Sequence, residues 1–142
     1  NYIEDAMTQV VHRPYNPDEF RDYGTAFEFI AQADRDMPYR MAGKSGTAQV
    51  VGIDQSILKS TDIDVDDRHK DHGLFVAFAP AQHSKITPKI ALVVFVENGE
   101  HGSSVAGPSA KQVTDTYLLD ILQLDFTEPE ADEESLMVTS AP

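Results

Sequence analysis

The 142-residue sequence has no cysteine, which excludes a disulfide framework and any thiolate metal site and suits an oxidising or a reducing compartment equally. It is also short of positive charge: 11 Lys and Arg against 24 Asp and Glu give a formal net charge of -13. Such a surface repels nucleic-acid phosphates and anionic membranes, so neither is an expected partner. No apolar run approaches the ~18 residues a membrane-spanning helix needs. The opening Asn1-Tyr2-Ile3-Glu4-Asp5 lacks the basic and apolar regions of a signal peptide. It also lacks an initiator Met and a capping preamble, and the chain reads as cut from something longer. The 41% hydrophobic content suffices for a single core at this length.

Ile3, Met7, Val10 and Val11 recur at helical spacing, which predicts an amphipathic helix over about residues 2–11. It stops at His12-Arg13-Pro14, because Pro14 disfavours helical geometry in Arg13. A surface loop around Asn16-Pro17-Asp18 follows, and a short helix is expected over residues 25–34. Residues 38–51 end in the β-branched stretch Thr47-Ala48-Gln49-Val50-Val51 and predict a strand. Residues 52–72 are polar and acidic and read as a long excursion between strands. Two continuous apolar runs, 74–79 and 89–96, predict strands covered on both faces and able to pair as an antiparallel hairpin. After the turn cluster 97–104, Ala106, Ala110, Val113, Tyr117 and Ile121, flanked by Leu118 and Leu122, mark a second amphipathic helix with Pro108 in its first turn. From Asp125 the composition turns acidic and predicts a flexible tail. The order gives an α+β fold: a three-stranded antiparallel sheet portion with flanking helices.

Gly43-Lys44-Ser45 invites comparison with a phosphate-binding loop, whose pattern needs a glycine five residues before the Gly-Lys pair. Pro38 stands there, and the following residues lead on as strand rather than as a helix whose N-terminus could face a phosphate. Within a strand, Lys44-Ser45-Gly46-Thr47 has another logic. Alternation puts Lys44 and Gly46 on one face and Ser45 and Thr47 on the other. The stretch supplies a cation, two hydroxyl donors for a carboxylate, and a glycine beside which a second backbone can approach. Those are the parts of an anion-recognising, oxyanion-stabilising wall, though an ordinary polar surface strand contains the same residues.

Metal chemistry is not expected. Asp62, Asp64 and Asp66 open like a calcium loop, but Asp67 replaces the sharp-turn glycine and Gly73 replaces the twelfth-position Glu. His69 and His72 are three apart without a third ligand fixed by sequence. His12, His83 and His101 stand singly in turns and read as surface residues.

Three stretches carry a family resemblance: Tyr39 to Val50, Asp71 to Pro80, and the strand ending Val96-Glu97-Asn98-Gly99, with Gly24-Thr25-Ala26 ahead of them. Together they resemble the last three strands of the class B penicillin-binding proteins, in particular the elongation-type branch known as penicillin-binding protein 2. The wider group of serine enzymes is marked by S-x-x-K, S-D-N and K-T-G motifs. The resemblance covers Tyr2 to about Leu122. It implies that residues 1–124 are the C-terminal part of a transpeptidase domain and 125–142 an acidic tail.

The same resemblance implies roles. Lys44 would face a second-motif serine and help move protons. Ser45 and Thr47 would hydrogen-bond the terminal carboxylate of a stem peptide or of a β-lactam, Gly46 would leave room for the acylated serine, and the Thr47 backbone N–H would donate to the oxyanion. No cofactor is implied. The implied partners are peptidoglycan stem peptides, β-lactams and membrane proteins of an elongation complex, at the periplasmic face of the inner membrane. The family's nucleophile lies on a helix upstream of the third motif, whereas the one S-x-x-K match here, Ser56-Ile57-Leu58-Lys59, lies downstream in a polar loop and reads as coincidence. No Ser-x-Asn precedes Lys44 either. The chain alone is therefore expected to be inactive, and an uncovered apolar sheet face is expected to promote self-association. Alternatives sharing these features are a non-catalytic interaction module and a serine β-lactamase or β-lactam sensor.

Overall fold

In the computed structural model, the described residues are 2–18, 23–49, 70–83 and 85–127. Most of the acidic excursion and the acidic tail beyond residue 127 lie outside them, as does Ser56-Ile57-Leu58-Lys59.

Helix α1 runs Tyr2–His12 with Glu4 and Asp5 in its first turn, where carboxylates complement the helix dipole. Its buried stripe differs from expectation: Thr8 and Val11 are buried, while Ile3 is exposed. Thr8 is accommodated because its hydroxyl donates to the Glu4 carbonyl at 2.8 Å, leaving no unsatisfied polar atom. The chain then folds back on the end of α1 through Gly24 N–H to Arg13 O (2.9 Å) and Ala26 N–H to Val10 O (3.0 Å). The helix expected over residues 25–34 is instead a series of turns. Bonds from Ile30 to Ala26 and from Asp34 to Ile30 span four residues, but the bond from Gln32 to Phe27 spans five, so no regular ladder propagates.

Strands β1 (Ala42–Ala48), β2 (His72–Ala79) and β3 (Ile90–Val96) form one antiparallel sheet in the order β1-β2-β3. β1 ends at Ala48; Val50 and Val51, where the strand was also expected, lie outside the described residues. The register pairs Lys44 with Val76 and Val76 with Val93, and Thr47 with Gly73 and Gly73 with Val96. One face of the sheet, carrying Phe75, Ala77 and Ala79, shares a single core with Val11, Ala26, Ile30, Ala106, Ala110 and Leu118. The opposite face is not covered among the described residues: Val76, Val93 and Phe95 are 42%, 63% and 49% exposed. The expectation that the apolar strands are covered on both faces therefore fails, because every described helix and turn that contributes to the core packs against the same side.

Beyond β3, one continuous helix runs through a π-helical turn (Gly102–Ala106), helix α2 (Gly107–Asp115) and a second π-helical stretch (Thr116–Ile121). Its buried stripe is Ala106, Ala110, Thr114 and Leu118, a strict every-fourth spacing. An ordinary α-helix would rotate such a stripe off its face, and the wider π turns at both ends compensate. This departs from the expected stripe, since Val113 and Ile121 are half or more exposed. Past the helix, Leu124 and Phe126 still pack against the core, with the Phe126 ring against Tyr39 and His83.

Candidate functional site

β1 lies at one edge of the sheet, and the Lys44 to Thr47 stretch occupies its second half. The register aligns the end of β1, the start of β2 and the end of β3, so the loop leaving β3 arrives beside Thr47 although it is more than fifty residues away in sequence. That loop is fastened by Glu100 N–H to Asp71 O at 2.8 Å and by the Thr47 hydroxyl donating to Glu100 O at 3.2 Å. Gly102 then fits against the strand ends: a Cβ there would stand 2.0 Å from the Leu74 carbonyl oxygen and 2.6 Å from that of Gly46. No other residue type makes that approach without moving backbone.

The result is an open cleft of about 430 Å³. Lys44, Ser45, Gly46 and Thr47 line one side, with Thr25, His101, Gly102 and Ser103 around them. The Ser45 and Thr25 hydroxyls are 3.5 Å apart. The Lys44 ammonium donates to the Ser45 carbonyl at 2.5 Å. No carboxylate is among the described residues lining the cleft, so within a chain of net charge -13 it is a locally positive, hydroxyl-rich spot suited to an anion. Gly46 is exposed, and a Cβ on it would meet nothing closer than Leu74 Cβ at 3.6 Å. The intramolecular packing therefore does not require glycine here; the space lies on the solvent side.

All four residues singled out by sequence thus line one cleft, with the alternation intact: Lys44 and Gly46 share a face with Val76 and Leu74, and Ser45 and Thr47 share the other with Phe75 and Gly73. Thr25 stood out in sequence only as part of Gly24-Thr25-Ala26. His101 and Ser103 were hidden in a turn cluster, and their place becomes readable once the strand order is known.

The remaining histidines do structural work. His12 is not a surface residue: its Nε2 accepts the Met41 N–H at 3.0 Å, and burial, with the nearby Arg40 charge, pushes its pKa down to about 4. His83 Nδ1 accepts from Lys85 and Ile86 N–H. His72 Nδ1 accepts from Asn98 N–H at 2.9 Å, and its ring stands edge-on to Phe95. His69 lies outside the described residues.

Comparison with known proteins identifies a family. The family described as "Penicillin binding protein transpeptidase domain" matches residues 1–115. Three relatives share the name peptidoglycan D,D-transpeptidase MrdA. The one from Acinetobacter baumannii is 48% identical over 81 residues, 57% of this chain and 11% of the relative. The one from Haemophilus influenzae is 41% identical over 87 residues, 61% of this chain and 13% of the relative. The one from Escherichia coli K12 is 34% identical over 116 residues, 82% of this chain and 16% of the relative. The chain spans less than a fifth of the length of each.

Proposed function

The chain belongs to the penicillin-binding protein transpeptidase domain family, and on that premise we propose that it is the C-terminal part, residues 1–124, of a serine-type peptidoglycan D,D-transpeptidase. In this reading the parent enzyme acylates a serine with a stem peptide, releases D-Ala, and passes the acyl group to an amine of a neighbouring strand. β-Lactams enter the same site and acylate the same serine. The observation that carries the reading is the convergence of Lys44, Ser45, Gly46 and Thr47 on one cleft with no carboxylate among its described lining residues.

The roles follow from the chemistry of each group. The Ser45 hydroxyl, and the Thr47 hydroxyl once it turns from the Glu100 carbonyl, hold the substrate's terminal carboxylate by charge-assisted hydrogen bonds, with the Lys44 charge behind them. The open side of Gly46 admits the acylated serine and its substrate backbone. The Thr47 N–H is one oxyanion donor, its partner being the nucleophile's own N–H. Lys44 also takes part in proton movement at the second-motif serine. Because the nucleophile and its base act as a unit, the 142-residue chain recognises without reacting. In the same reading the parent works at the periplasmic face of the inner membrane, alongside elongation-complex membrane proteins, and the resemblance to the elongation-type branch supports this. Among the described residues, no helix is long and apolar enough to cross a membrane.

Recognition by the chain itself is testable by NMR titration with N-acetyl-D-alanyl-D-alanine. Amide shifts are expected at Thr25, Lys44 to Thr47 and His101 to Ser103, and Lys44→Ala should abolish them. Shifts elsewhere, or shifts indifferent to Lys44, would count against the proposal.

A further inference from the structure

We propose that Glu100 is a positioning residue of the acyl-transfer site: its carbonyl holds the Thr47 hydroxyl, and a ligand carboxylate binds by taking that hydroxyl from it, which releases the loop after β3. This deepens the transpeptidase reading, on which it rests, by adding a contact that opposes binding. The Thr47 hydroxyl donates to the Glu100 carbonyl at 3.2 Å. That is longer than a hydroxyl-to-oxygen bond usually runs, about 2.5–3.0 Å. A carboxylate in the same place accepts a charge-assisted bond roughly twice as strong. The exchange therefore runs toward the ligand, with one bond inside the protein given up.

The backbone of Glu100 is held from both sides. Its N–H donates to the Asp71 carbonyl at 2.8 Å, and its carbonyl accepts from Thr47. Between these ties Glu100 sits at φ 57°, a left-handed conformation unfavourable for any residue that carries a Cβ. When Thr47 turns to a ligand, one tie is lost and the Glu100 backbone relaxes out of that conformation. What stays fixed confines the movement. Gly102 has no space to shift, since it packs against the Leu74 and Gly46 carbonyls, and the Asn98 N–H keeps its bond to His72 Nδ1 at 2.9 Å. His101 stands between the released Glu100 and the fixed Gly102, and it lines the cleft with Ser45 and Thr47. Capture of the carboxylate thus reshapes the wall at His101, which couples recognition of one end of the ligand to the space offered to the rest. While Thr47 stays tied, apparent affinity is reduced by the fraction of molecules that are untied.

β-Lactam acylation of the longer protein carrying this sequence tests this, with the rate followed against concentration so that the half-saturating concentration and the limiting rate separate. Glu100→Ala and Glu100→Gly both remove the carboxylate and differ in the backbone, because only glycine takes the left-handed conformation without strain. Glycine favours the tied state. Glu100→Gly should therefore need about fivefold more β-lactam than Glu100→Ala for half-maximal rate, at an equal limiting rate. Hydrogen exchange over residues 98–101 should quicken on acylation of the natural sequence, while that over residues 107–115 stays unchanged. A half-saturating concentration for Glu100→Gly no higher than for Glu100→Ala, or exchange over 98–101 that does not quicken, would overturn the proposal and leave the transpeptidase reading standing. A natural sequence that does not acylate at all would overturn both.

Discussion

His12 closes α1 with its ring half-buried and its Nε2 committed to accepting the Met41 N–H. That geometry needs the neutral imidazole, and burial together with the Arg40 charge lowers the pKa from 6.5 to about 4. The unfolded chain therefore takes up a proton as pH falls through 6.5, while the folded chain resists until about 4. The contribution to stability is complete above that window and is lost progressively as pH falls across it. His12→Gln keeps an acceptor oxygen within reach of the Met41 N–H and removes the titration. Urea midpoints at the two ends of the window should fall less for this variant than for the natural sequence; equal falls would show that His12 does not titrate as described. The sequence alone gave a lone histidine beside a proline turn, which suggests a surface residue. Its burial depends on Met41, 29 positions away, and no local pattern carries that information. Lys44, Ser45 and Thr47 were legible for the opposite reason: strand alternation is local, and it fixed which side chains share a face.

At the scale of elements, α2 is joined to the segment before β1 by a chain of polar contacts. The Tyr39 hydroxyl donates to Asp115 Oδ1 at 2.5 Å, and Lys111 reaches Asp115 at 2.5 Å and Asp34 at 2.7 Å. Burial works against the Lys111 charge, yet hydrogen bonds to Asp115 and Asp34 outweigh it and leave its pKa raised. The Lys111 hydrogen bond holds Asp34 below its usual range, and burial, with the Asp115 carboxylate, pushes the Tyr39 phenol up. Asp115→Ala strips the Tyr39 hydroxyl of its acceptor and Lys111 of one partner, and should cost about 1–3 kcal/mol in urea unfolding. A loss within about 0.5 kcal/mol, the range of an ordinary surface substitution, would show that this network does not hold α2. The existence of α1, β2, β3 and the last helix was legible because each carries a strong period or a continuous apolar run. The face each helix buries was less so. Thr8 and Thr114 sit in the core where apolar neighbours were expected, since both hydroxyls bond back to carbonyls four residues earlier, Glu4 and Ala110. The π turns around α2 select Leu118 over Ile121, and nothing in a hydrophobic pattern announces a π turn.

Across the whole molecule, the sheet divides two kinds of surface. The covered face carries the core, and the strand ends at one corner carry the Lys44 cleft. Among the described residues, the other face is left apolar and exposed at Val76, Val93 and Phe95. The cleft stands out electrostatically because a chain of net charge -13 places a lysine, four hydroxyls and no described carboxylate around it. Sequence made this corner readable at β1 but not at the loop after β3, whose approach to Thr47 is a consequence of sheet order. The central proposal is that this corner is the third-motif wall of a serine acyl-transfer site whose nucleophile lies elsewhere in a longer protein. Labelling with a fluorescent penicillin, followed on a denaturing gel, tests it most directly. The longer protein carrying this sequence should label covalently, Lys44→Ala in it should slow labelling about 10²-fold or more, and the 142-residue chain should not label at all. Covalent labelling of the 142-residue chain, or of the longer protein at a rate indifferent to Lys44, would contradict the account.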